Sequence, residues 1–190
     1  MKLHYMGKYN SNPESIPTKP HRPNYVKFKE PETSRKLSLV VTLIAIPLLV
    51  IFGLPIFLLH GNPYKDITIA VVLALVSAFP HEILHALCFK EDVYLFTNLK
   101  HGMLFVAGPE DMSKGRFIFM SMLPNIVFGI IPYLIFLINP NLVILGAFGT
   151  INIASGSGDY LNVFNAITQM PKGSRTYLYQ FNSCWYMPEK

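Results

Sequence analysis

The sequence predicts an all-α polytopic membrane protein of about four transmembrane helices, with a small β-hairpin between the second and third. Three observations predict it. Apolar residues make up 51% of the 190-residue chain and charged residues only 14%, against about 25% charged in a typical soluble domain. Long apolar runs recur at the roughly 20-residue length that spans a bilayer core of about 30 Å. Basic residues gather beside those runs on one side. The net charge of +5 therefore suits anionic headgroups and membrane topology, and argues against nucleic acid.

Residues 1–36 are polar and rich in proline, asparagine and lysine, with no apolar period. They predict a flexible N-terminal tail. Residues 37–59 carry no charge and form the first span, with Pro47 and Pro55 inside it. A short turn leads to the second span, 67–89. Residues 90–116 alternate in short pieces, "DVYLF" and "GMLFVAG", and predict a β-hairpin at the membrane surface. The third span is 117–138, with Pro124, Asn125 and Pro132. The fourth is 142–166. Its "ASGSGD" segment is small and glycine-rich, and predicts an unwound stretch. Residues 171–190 form a polar, aromatic tail. Cys88 and Cys184 are too far apart for a disulfide framework or a metal knuckle, and read as reduced thiols.

The basic residues set orientation. Of 16 lysines and arginines, only Lys65 falls in the two loops on the far side; the other fifteen share one side. The positive-inside rule makes that side cytoplasmic, with both termini on it. The expected location is the cell membrane, crossed several times.

The second span ends in "PHEILHA", residues 80–86. Ionisable groups inside the hydrocarbon cost about 2.5 to 3.5 kcal/mol each and mark function by default. His81 and His85 are four apart and share one helix face. Two imidazoles so placed donate to one tetrahedral zinc. Glu82, offset from them, is a general base able to activate a zinc-bound water. Zn2+ is the expected cofactor, because the other spans offer almost no acid or base to satisfy these groups.

A catalytic zinc takes three protein ligands and leaves one position open. The extended HExxHxxGxxH pattern fails, since Cys88 and Glu91 stand at the required places. Glu110 lies in the polar "GPEDMSKG" loop and reads as a solvated turn residue. Asp159 fits by depth. His81 is nine residues before Lys90, roughly 13 Å inside the cytoplasmic edge. Asp159 is eighteen residues past Asn141, roughly 27 Å from the far edge. Both fall in the cytoplasmic half. Asp159 is also suited to cap a helix starting at Tyr160, and the two roles are compatible. Asn125 and Asn162 are able to bind substrate, bond a zinc ligand or join helices; Asn125 is the substrate-binding candidate. His4, His21, His60 and His101 lie in polar segments and read as solvated.

HExxH near the end of one membrane helix, with a glycine-adjacent aspartate two spans later, resembles the site-2-protease-type intramembrane zinc metalloproteases. More closely, "PHEILHAL", "LPN" and "GSGDYLNVFNAITQMPKGS" resemble a bacterial family of uncharacterised zincin peptidases. That resemblance covers about Phe79 to Tyr186. It departs from the site-2-protease pattern at Ser157-Gly158-Asp159-Tyr160, where those relatives have Leu-Asp-Gly. It implies a zinc peptidase core over 67–170. In those relatives a membrane-embedded strand holds an unwound substrate, a role the resemblance extends to the 90–116 hairpin.

The expected function is hydrolysis of peptide bonds in membrane-associated proteins at a cytoplasmic-side site. The partners are a membrane-protein or peptide substrate and the bilayer. Two other classes compete: an ion or proton transporter using the His/Glu cluster as a relay, and a zincin-like binding protein that grips membrane partners without cutting.

Overall fold

The computed structural model describes residues 1–10, 12–31, 33–98, 103–180 and 182–189. The expectations for Lys100, His101 and Lys190 lie outside the described residues. Helices dominate, joined by two small sheets. Strand β1 is Leu3–Lys8 and β2 is Val26–Lys27. Helix α1 is Ser34–His60 and α2 is Tyr64–Leu87. Strands β3 (Val93–Asn98), β4 (Met103–Ala107) and β5 (Met112–Ser113) follow. Helix α3, Lys114–Pro124, runs through a π-helical turn, Asn125–Ile130, into α4, Ile131–Ile138. Helices α5 (Val143–Ser155) and α6 (Ser157–Gln169) precede β6 (Arg175–Tyr179) and β7 (Asn182–Tyr186).

The chain divides into two compact units. One comprises 31–81 and 121–161. It contains α1, most of α2, the π-helical turn, α4 and α5. Three helical stretches, Arg35–His60, Tyr64–Leu87 and Lys114–Ile138, are long and apolar enough to cross a membrane; Val143–Ser155 is apolar but shorter. The four-span expectation becomes three long apolar helices and a shorter one. Leu43, Leu58, Leu75 and Val76 stand more than 60% exposed. So much outward apolar surface fits lipid, not water. Inside, Ile56, Ala70, Tyr133, Phe136 and Ala147 form the core. Gly149 allows α5 to lie against its neighbour: a Cβ there would stand 2.7 Å from the Gly129 carbonyl oxygen and the Tyr133 nitrogen.

The other unit comprises 1–30, 82–120 and 162–190. One sheet has the order β1-β3-β4, the other β2-β7-β6-β5. The hairpin expected in 90–116 is β3–β4, antiparallel with Leu95 opposite Val106. The first 36 residues differ from the flexible tail expected of them. β1 pairs in parallel with β3, β2 pairs with β7, and Tyr9, Ile16 and Phe28 are buried. Six- and two-residue strands carry too little period to read, and their partners lie far along the chain. The 171–190 tail likewise folds as the β6–β7 hairpin. With two sheets present, all-α is a correction: the fold is mostly helical with two small sheets.

Three polar-segment histidines are also not simply solvated. His4 Nε2 lies 3.0 Å from Asp92 Oδ2, His21 stacks between Tyr25 and Tyr179, and His60 Nε2 is buried.

Candidate metal centre

Helix α2 continues through Pro80 to Leu87. Proline lacks only one N–H, and a membrane helix tolerates the gap. His81 and His85 therefore sit one turn apart on one face. His85 is 7% exposed, and its Nδ1 lies 2.9 Å from the Met120 carbonyl oxygen. A carbonyl only accepts, so Nδ1 carries the proton and Nε2 presents its lone pair. That second hydrogen bond fixes the tautomer a metal requires.

His81 Nε2 lies 3.4 Å from Asp159 Oδ2. Asp159 is the third residue of α6, inside its first turn, so the expected cap at Tyr160 does not form. The glycine-rich segment is also not unwound. Gly156 interrupts the helices for one residue (φ −73°, ψ 10°), while its N–H donates to the Asn152 carbonyl and its own carbonyl accepts from Tyr160, each at 3.1 Å.

Asn125 is completely buried. Its Nδ2 donates to Asp159 Oδ2 at 2.8 Å and to the Ser121 carbonyl at 3.0 Å. Its Oδ1 lies directly on Gly156: a Cβ added there would stand 1.6 Å from it. Glycine at 156 thus admits the carboxamide that holds Asp159. Asn125 thus bonds the candidate ligand Asp159, one of the three roles the sequence leaves open to it.

Glu82 Oε2 accepts the Val106 N–H of β4 at 3.0 Å. Glu110 is saturated otherwise. Oε2 accepts the N–H groups of Lys90 and Glu91, at 2.5 and 2.9 Å, and Oε1 pairs with Arg116. Burial alone would raise its pKa; the Arg116 guanidinium and the two amides outweigh that and hold it below the usual range. It is 7% exposed, so the expected solvated turn residue is instead a buried ion-pair member.

His81, His85 and Asp159 form one group. Each offers a ligand atom, and these atoms all lie within 4.8 Å of one another. Ligands about 2.0 to 2.1 Å from a tetrahedral zinc stand about 3.4 Å apart, which His81 and Asp159 already match. Two imidazoles and a carboxylate are a catalytic-type donor set. The residues fit zinc. Sequence reasoning missed the three supporting contacts from Met120, Val106 and Gly156. Two of them use backbone groups, which no residue type announces, and only Gly156 left a trace.

One family profile, described as "Putative zincin peptidase", matches residues 74–175. It includes all four expected site residues and Asn125. Searches of curated proteins and of solved structures give no match.

Proposed function

The chain belongs to the family described as "Putative zincin peptidase", and on that premise we propose that it is an integral-membrane zinc metallopeptidase. It would hydrolyse peptide bonds of membrane-associated proteins at a cytoplasmic-side site. The observation that carries this reading is the convergence of His81, His85 and Asp159 within 4.8 Å. His81 and His85 would bind through imidazole nitrogen, His85 through Nε2, and Asp159 through a carboxylate oxygen. When bound, zinc would polarise the peptide carbonyl and bring the pKa of its water to about 7. Glu82 would take a proton from that water and return it to the leaving amine. Val106 N–H would hold one Glu82 oxygen in place. Asn125 would orient Asp159 rather than touch substrate. The motif order supports a kinship with site-2-protease-type enzymes, and the basic residues support a site on the cytoplasmic side of the cell membrane.

The test compares wild type with Glu82→Gln, purified and reconstituted, on a membrane-protein substrate. Both should hold one zinc per chain. Cleavage should fall about 100- to 10,000-fold in the variant, the range a general base supplies. Equal cleavage rates, or wild-type protein without zinc, would sink the proposal. A proton flux that persists in zinc-free protein would favour the transporter.

A further inference from the structure

A cavity of about 540 Å³ opens in the unit that contains the sheets. Lys114, Lys172 and Arg175 line it, and no carboxylate does. Three local features build it. Strand β5 pairs with β6, setting Ser113 opposite Arg175. The Lys114 ammonium donates to the Ile167 and Met170 carbonyls, at 3.2 and 2.7 Å, so its charge is fixed at the end of α6. The Pro171–Ser174 turn, with Gly173 at φ +87° and the Ser174 Oγ donating to the Pro171 carbonyl, presents Lys172. The side chains of Lys172 and Arg175 make no hydrogen bond or ion pair among the described residues, and both residues are exposed. Two uncompensated cations beside a third, around one cavity, call for an anion.

The position says which anion. The cavity wall includes Lys114 and Gly115, where α3 begins, and a Cβ on Gly115 would meet open space. From Lys114 the chain continues as a 25-residue apolar helical stretch able to cross a membrane. Its first turn therefore lies at headgroup depth. The same wall carries Ile118 and Pro188, which are apolar, and Phe119 just beyond is 56% exposed. A phosphate with an apolar tail matches cations above and hydrocarbon below.

We propose that this cavity binds the phosphate of an anionic phospholipid headgroup, through Lys172, Arg175 and the fixed charge of Lys114. Its lining shares no residue with the His81, His85 and Asp159 group. It rests on the membrane reading but not on catalysis.

The experiment uses the full chain in mild detergent and native mass spectrometry, with phosphatidylglycerol and phosphatidylcholine at equal concentration. Wild type should retain phosphatidylglycerol preferentially. K172Q/R175Q should lose roughly thirtyfold of that preference, since each cation near an anionic surface contributes about a factor of five. K172R/R175K should keep it. K8Q/K29Q, the same charge loss elsewhere on the chain, should also keep it. Three results would overturn the proposal: no lipid preference in wild type, an equal loss in K8Q/K29Q, or inorganic phosphate bound by wild type without any preference between the lipids, which would assign the cavity to soluble phosphate. Carbonate extraction of cell membranes separates the premises. A chain released by carbonate refutes the membrane reading; a retained chain without lipid preference refutes only the cavity assignment.

Discussion

Glu110 and Asp159 are both acids held away from bulk water, and they are held in opposite ways. Glu110 has a guanidinium on one oxygen and two backbone amides on the other. Its charge is fully answered by permanent groups, and a metal could bind only by displacing them. Asp159 is held by a neutral carboxamide and lies beside an imidazole. An imidazole exchanges a proton for a metal readily, and a carboxamide leaves the negative charge on the acid. The partners of a buried carboxylate, more than its burial, tell a structural acid from a candidate ligand.

The strongest way to break that comparison is to neutralise each acid in turn and measure zinc by competition with a chelator. Asp159→Asn should weaken zinc by more than the roughly 100-fold that loss of an outer partner costs. Glu110→Gln should leave zinc affinity unchanged. A loss in both, or only in Glu110→Gln, would reverse the assignment.

A smaller effect should come from behind the aspartate. Asn125→Ala should weaken zinc about 10- to 100-fold, with the polypeptide still folded. Gly156→Ala should do the same, because its methyl needs the space of Asn125 Oδ1. The double variant should be little worse than either single one, as expected of residues acting through one contact. Additive losses would mean that Gly156 acts independently of Asn125.

The smallest effect concerns stability and pH. Glu110→Gln removes the carboxylate from Arg116, which keeps the Cys88 carbonyl, and should destabilise the fold by about 2 kcal/mol near neutral pH. The Glu110 pKa is lowered in the fold. Its contribution is therefore present above the unfolded value, about 4.3, and is lost as pH falls through the lower folded value. Thermal unfolding curves of wild type and variant should converge on acidification below about pH 4.3. A constant gap across that window would deny the ion pair its role.

The legible parts of this protein were those with long periods or costly chemistry. Charge-free runs reveal apolar helices, because nothing else tolerates 23 uncharged residues in a row. The histidine spacing in α2 and the glycine beside Asp159 stood out as groups out of place. The sheets did not. β2 and β5 are two residues each, below any periodic signal, and their stability comes from partners that sequence order conceals. The role of Glu110 was hidden, and that of Asn125 left open among three, for a related reason. Each depends on which distant atom faces it, Arg116 Nη1 in one case and Asp159 Oδ2 in the other.

The parallel pairing of β1 with β3 also orders events in time. Lys2 meets Asp92, ninety residues later. At about 5 to 20 residues per second of synthesis, the first strand waits roughly 5 to 20 s for its partner to be made. During that interval the ribosome delivers α1 and α2, so the HEILH segment exists before the first sheet can close. Strand β1 is thus made well before the strand it pairs with, and a chaperone or a neighbouring chain has that interval in which to meet it.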